Sequence, residues 1–489
     1  MEDNRQTNDQ SKGGEAIVRW RVGTVIGLLA VLLFAGCRAQ PEEVEKPEGE
    51  KLPPAVVVPE PNAQTKPPLR LILTTEKSMA LTFNGLADRE TTERLLDALD
   101  LEGVKATFFI PAMRVAEEPD LAKEILERGH EVENGTLNNV LPEGLDYEEA
   151  YREVELANQI FNDRLGVTPK YARTRNGDTS EAFEQAAAEA GLELVMNTIS
   201  PKDSEMKTAQ DITGYIDRFM VRGAIIQLNA ATNPAVVDAV PMIARMAGEE
   251  GYGLTTLGEL AETSYGGAYY KSNGLTVNKN FEEAKPRVVR NFPVKEKVVA
   301  LTFDDWAGDR TISRVLEILE EYDIKSTFFL IGRGVETNPQ LARLILEEGH
   351  EIASHTYSHQ LVTEMTLQDL QKDLIRADEV IAEAIRETPS NYMRPAQGKL
   401  DQDAAKKITA AGVDYILLYD VSSFDWNMNL EEQEVYHRVV DNVKPGSIIT
   451  MHIQDESHTI SVLPKILDEL KERGYEFKTI GELLSETGL

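Results

Sequence analysis

The strongest constraint on this chain is that it repeats itself. ALTF at 80–83 recurs at 300–303, ATFFI (106–110) meets STFFL (326–330), and ERGHEVENGTLNN (127–139) meets EEGHEIASHTYSH (347–359), each pair 220 positions apart. Several matches at one interval mean that a single supersecondary plan is built twice. The matches predict copies over about 70–263 and 294–489, with the polar, aperiodic segment 264–293 between them as a linker. At 489 residues the chain has room for two domains of ordinary size and a leader.

The second copy alternates two patterns. Short apolar runs rich in β-formers (VVALTF, STFFLIG, EIASHT, YILLYD, SIITMHI) read as strands. Between them, 311–322, 367–385, 403–412 and 461–474 carry apolar residues at i, i+3, i+4 and i+7, the mark of amphipathic helices. Such alternation predicts an α/β fold with a parallel sheet, open or closed into a barrel. Chemistry in these folds sits at the carboxyl ends of the strands. The polar clusters fall there: Asp304 and Asp305 after VVALTF, His355 and His359 after EIAS, Asp420 and Asp425 after YILLY, and His452 at the end of SIITM.

Those residue types suit metal-assisted hydrolysis. Two histidines at i and i+4 can converge on one ion from a tight loop, and two His with one carboxylate leave positions open for water, as catalytic rather than structural zinc requires. A bound ion can bring the pKa of its water down to about 7. A second carboxylate can then take a proton and a further histidine can protonate a leaving group. Six of the seven histidines lie in the second copy. His350 has a counterpart in His130 and reads as structural, and His437 and His458, which lack ligand spacing, read as surface residues. The net charge of −32 excludes a nucleic-acid role, because phosphate backbones would be repelled.

Thr302-Phe303-Asp304-Asp305, Ser354-His355-Thr356-Tyr357-Ser358-His359, Arg394-Pro395-x-x-Gly398, Asp425-Trp426 and His452 after PGSII resemble the five ordered motifs of the NodB-homology polysaccharide deacetylases, carbohydrate esterase family 4. The resemblance implies a distorted (β/α) barrel and metal-dependent removal of N-acetyl groups from sugars. By position it implies a divalent metal, usually zinc, on Asp305, His355 and His359, with Asp304 as general base oriented by Arg394. His452 would be general acid, tuned by Asp425. Trp426 would wall the acetate pocket, and the amide of Gln397 would help hold the oxyanion. Trp306 stands where Gly is usual and predicts a narrower cleft mouth or a different loop. Gln397 stands in place of an aromatic residue, and Thr450 replaces an apolar pocket residue.

The first copy has lost these groups. Asn84 and Gly85 occupy the positions of Asp304 and Asp305, Gly135 and Asn139 those of the two histidines, and Asn229 that of His452. Arg173 and Gly177 still match Arg394 and Gly398, and Ser204 falls near Asp425. The expectation is that the first copy is a catalytically dead barrel in tandem with the second, serving to bind glycan, to pack, or to space.

Upstream, residues 1–36 place basic residues before the apolar run VGTVIGLLAVLLFAG, which is too short for an ordinary spanning helix and ends at Cys37, the only cysteine. This resembles a bacterial lipoprotein signal, with Cys37 as the lipid anchor; read as an uncleaved anchor, it still sends the chain outside the cytoplasm. Segment 37–69 holds eight prolines, which fix φ and lack the amide donor, and it is expected to be a stiff tether. Together these features point to a surface-anchored deacetylase of an N-acetylated glycan, peptidoglycan above all. An O-acetyl xylan-type esterase and a non-catalytic glycan-binding lipoprotein are the alternatives.

Overall fold

The computed structural model describes residues 56–201, 206–265 and 270–489. The signal segment with Cys37, the tether up to residue 55, and Ser204 lie outside the described residues.

The first copy contains strands β1 (Ser78–Asn84), β2 (Thr107–Ile110), β3 (Glu131–Asn134), β4 (Tyr171–Ala172), β5 (Glu193–Leu194), β6 (Ile225–Leu228) and β7 (Gly253–Thr255). They form one parallel sheet in the order β5-β4-β3-β2-β1-β6, with β7 also on β1. The second contains β8 (Val288–Val289), β9 (Val298–Asp305), β10 (Thr327–Leu330), β11 (Glu351–Ser354), β12 (Tyr392–Met393), β13 (Tyr415–Leu417), β14 (Val421–Ser422), β15 (Ile448–Ile453) and β16 (Glu476–Phe477). Its order is β14-β15-β9-β10-β11-β12-β13-β8, with β16 on β9. Each sheet curls on itself under a ring of helices, giving two tandem distorted (β/α) barrels, and 56–489 makes one compact unit. Among the described residues no helix is long and apolar enough to cross a membrane.

The strand period explains the layering. In β9, Val299, Leu301 and Phe303 point under the helices and join the large cluster with Val315, Ile345 and Ile466. Val298 and Ala300 point the other way, into the barrel with Phe329, Ala353 and Ile448. Asp304 continues this inward set and so emerges at the barrel mouth. β1 repeats the division, with Met79, Leu81 and Phe83 outward and Ala80 inward.

The described parts of the tether and the linker, 56–69 and 270–293, pack on the barrels. Leu69 bridges Val195 and Leu71 bridges Ala224, just as Val289 pairs Leu417 and Asn291 bridges Ser447 in the second copy. Upstream of Leu69, Pro59 O accepts from Tyr147 Oη at 3.0 Å, and the amides of Asn62 and Ala63 donate to Glu189 at 3.0 and 2.8 Å. The linker does the same: Asn273 donates to Asp378 at 2.8 and 2.7 Å, and the Asn278 amide donates to Gln371 at 2.8 Å. A proline removes one donor but leaves its carbonyl and its neighbours' amides free to bond. Contacts of one or two residues leave no period for a sequence pattern to reveal.

Candidate active site

The site lies at the carboxyl ends of β9, β11, β12, β14 and β15. Register places His452 beside Asp304 on adjacent strands. Asp305 would point under the helices if the strand simply continued. Its left-handed φ of 83° turns it back, so that Oδ1 lies 3.6 Å from His355 Nε2 and 3.4 Å from His359 Nε2. His359 is also left-handed, at φ 58°. Non-glycine residues in this region cost about 1–3 kcal/mol each and persist only where their surroundings enforce them.

The loop between the histidines is held from below. Asp373, on the helix Leu367–Ile385, accepts from the amides of Tyr357 (2.7 Å) and Ser358 (3.1 Å), and Thr356 Oγ1 accepts from the His359 amide at 3.1 Å. His355 Nδ1 lies 2.8 Å from the Arg394 carbonyl, which can only accept. The ring therefore carries its proton on Nδ1 and presents Nε2 as a lone pair.

Ligand atoms of Asp305, His355 and His359 lie within 4.8 Å of one another, and buried Asp305 Oδ1 has no hydrogen-bond partner. An orphaned carboxylate oxygen facing two imidazole nitrogens fits a divalent cation of the zinc type in donor number and donor chemistry. Among the described residues this is the one such cluster. Burial and the neighbouring His355 hold the His359 pKa below its ordinary value, which keeps the ring neutral as a ligand must be.

Two hydrogen-bonded pairs of ionisable side chains flank the cluster. Fully buried Arg394 donates from one guanidinium nitrogen to Asp304 Oδ1 (2.6 Å) and to Thr302 Oγ1 (2.8 Å), and stacks 4.0 Å over the Phe329 ring. That leaves Asp304 Oδ2 toward the cavity, 3.9 Å from His355 Nε2. On the other side, His452 Nδ1 donates to Asp425 Oδ1 at 2.6 Å. Buried Asp425 also accepts from Ser423 Oγ at 2.8 Å, the His452 amide at 2.8 Å and Thr459 Oγ1. Burial is the largest single influence and opposes ionisation of both partners. Their mutual hydrogen bond and charge attraction, with the further hydrogen bonds to Asp425 and the carboxylates near His452, together outweigh it, raising the His452 pKa and lowering that of Asp425.

A cavity of about 460 Å³ opens over these groups, lined also by Gln397, Lys399, Tyr419, Phe424 and Trp426. Gln397 has a left-handed φ of 57°, and Trp426 is 45% exposed. Trp306 does not line it: the indole packs so closely over Gly334 that a Cβ there would come within 2.4 Å, so the cleft is not narrowed. Thr450 is buried against Thr302 and does not line it either. His458 is half-buried, its amide donating to the Asp425 carbonyl at 2.9 Å, whereas His437 is exposed as expected. Sequence reasoning missed Gln454, whose amide nitrogen donates to Asp305 Oδ2, while Oδ1 has no hydrogen-bond partner. It also missed Asp373 and Thr459, which announce themselves only through contacts distant in sequence.

The first barrel keeps the frame without the ligands. Arg173 is buried like Arg394, donating to Thr82 Oγ1 at 2.6 Å, but meets neutral Asn84 at 3.2 Å. The register Phe83–Leu228 puts Asn229 at the position of His452, which follows Met451 paired with Phe303. His130 and His350 serve the fold alike, each accepting a backbone amide at 3.2 Å through Nδ1. Burial lowers their pKa values to about 4 and about 3.

The profile of the family described as "Polysaccharide deacetylase" matches residues 73–195 and 292–416. The chain is 34% identical over 195 residues to a peptidoglycan-N-acetylglucosamine deacetylase of Bacillus cereus, covering 39% of this chain and 90% of that one. It is 31% identical over 212 residues to the peptidoglycan-N-acetylglucosamine deacetylase PgdA of Listeria monocytogenes, covering 43% of this chain and 44% of the relative, so it spans less than half of that protein. It is 28% identical over 194 residues to the peptidoglycan-N-acetylmuramic acid deacetylase PdaA of Bacillus subtilis, covering 39% and 73%. With both matched segments falling on the two barrels, the chain belongs to the polysaccharide deacetylase family and carries its domain twice.

Proposed function

We propose that the second barrel removes N-acetyl groups from an N-acetylglucosamine- or N-acetylmuramic-acid-bearing glycan, peptidoglycan first among them, in a metal-dependent reaction. The observation that carries this reading is the convergence of Asp305, His355 and His359 around one orphaned carboxylate oxygen, with an acid–base pair on either side. A divalent cation held by these three residues, zinc by preference for two imidazoles and a carboxylate, would polarise the acetyl carbonyl and make water acidic enough to attack at neutral pH.

The remaining work belongs to side chains of this chain. Asp304 Oδ2 takes the proton of the attacking water, while Arg394 fixes the other oxygen. His452 gives a proton to the departing amine, which leaves poorly as an anion. Asp425 keeps that ring oriented and charged. The Gln397 amide supports the oxygen on which negative charge develops, and Phe424 and Trp426 wall the pocket. The first barrel, without these groups, does not catalyse. Residues 1–36 export the chain and Cys37 anchors it by lipid to the outer side of the bacterial membrane, facing the wall.

The test is acetate release by the full chain from N-acetylglucosamine oligomers and from peptidoglycan, with and without chelator. Release that chelator abolishes and added zinc restores is expected. Release insensitive to chelator, or none from either substrate, overturns the reading.

A further inference from the structure

Among the described residues, a buried ion pair joins the barrels. Arg222, in the turn before β6, and Asp309, the first residue of the helix Asp309–Glu321, are 2% and 3% exposed. Arg222 donates its amide (2.9 Å) and Nε (3.0 Å) to Asp309 Oδ2 and a terminal nitrogen to Oδ1 at 3.0 Å. The same nitrogen reaches Ser313 Oγ at 2.7 Å, and Gln340 closes over the Arg222 carbonyl at 3.2 Å. A bidentate pair this fully bonded fixes geometry as well as charge. The surrounding pairs Arg310–Asp217, Arg310–Glu250 and Lys77–Glu317 are exposed and fix little.

The two copies do not share the residues of this pair. The register of β6 and β15 sets Pro445 at the place of Arg222, and the repeat interval sets Arg89 at that of Asp309. A proline offers neither the amide nor the side chain.

From Asp309 the contacts lead to the candidate metal site. Just before it, the Gly308 amide donates to Asp455 Oδ1 at 3.1 Å, and Thr311 Oγ1 donates to the same oxygen at 2.7 Å. Asp455 adjoins Gln454, whose side chain holds Asp305 Oδ2. We infer that the first barrel is a brace for the second: Arg222 pins the start of the helix that follows Asp304-Asp305, and through Asp455 and Gln454 it sets the orientation of Asp305. This rests on the metal-site reading above. Arg222 touches no substrate and is a positioning residue.

The test compares the full chain with Arg222→Met, Arg222→Lys and, as an exposed-pair control, Arg310→Ala. Hydrogen exchange of the metal-free protein is read at 306–311 and 452–457, Zn2+ affinity by calorimetry, and kcat and KM on N-acetylglucosamine oligomers. Arg222→Met is expected to speed exchange in both segments, to weaken Zn2+ binding by about 10–100-fold, and to lower kcat with KM unchanged. Arg222→Lys should recover part of each loss, and Arg310→Ala should match the wild type. If Arg222→Met unfolds the chain, Arg222→Met with Asp309→Leu removes both buried charges together and is expected to show the same changes. Exchange in both segments matching the wild type in a folded variant overturns the brace. A wild type that binds no Zn2+ overturns the metal reading instead, and exchange still decides the brace.

Discussion

At the strand ends the two barrels share a backbone and differ in what hangs from it. Gly85 (φ 78°), Thr136 (67°) and Asn139 (58°) adopt the conformations of Asp305 (83°), Thr356 (66°) and His359 (58°). The left-handed turns therefore belong to the fold and not to the metal, since they persist where no ligand remains. What was lost is uneven. At Gly85 a Cβ would meet only Ala231 Cβ at 3.9 Å, but at Gly135 it would lie 2.6 Å from the Ile110 backbone carbon. The backbone has closed over the position of His355, so restoring side chains alone cannot restore the site. Arg173 shows what the fold kept for itself: without a carboxylate partner, its pKa is lowered to about 9 by burial, yet it still ties Val195 and Met196 carbonyls to Thr82.

The sharpest way to break the comparison is to remove a ligand from the second barrel. His359→Ala should lower acetate release by at least about 10³-fold, the loss of several kcal/mol of charge stabilisation, and abolish Zn2+ binding measured by calorimetry. Persistence of a tight site in that variant would assign the metal elsewhere. Next, His452→Ala should cut amide hydrolysis by about 10²–10⁴-fold while sparing hydrolysis of an aryl acetate, whose leaving group needs no proton. Equal losses on both substrates would deny His452 the role of acid.

Smaller effects test the first barrel and the flanking pair. Gly135→His should destabilise the protein by about 1–3 kcal/mol through overpacking, seen in denaturant unfolding, and should add no second Zn2+ site. The Asp425–His452 pair predicts a pH signature. Asp425, lowered in the folded state, contributes stability above its ordinary value of about 3.9 and loses it as pH falls through the folded value. His452, raised, contributes fully below about 6.5 and loses it as pH rises through its folded value. The stability gap between wild type and His452→Gln should therefore be widest between about pH 4 and 6.5, and a flat gap across pH would remove the pair's electrostatic role.

Much of this was legible in the sequence. The repeat, the strand–helix alternation and the ordered motifs gave the two barrels and put Asp304, Asp305, His355, His359, Arg394, Asp425 and His452 at one mouth, because residues at successive strand ends of a parallel sheet are brought together by the fold itself. The packing of 56–69 and 270–293 on the barrels was not legible, because one- and two-residue bridges carry no periodicity.

The amino-acid order by itself thus determined the fold and its duplication, written in local patterns that recur, and singled out the polar groups gathered at one barrel mouth. Only the tertiary structure decided that Gly135 is closed, that Gln454 leaves one Asp305 oxygen free, and that Arg222 grips Asp309 from 87 positions away. Those are contacts between specific atoms of distant segments, set by packing, and no spacing along the chain encodes them.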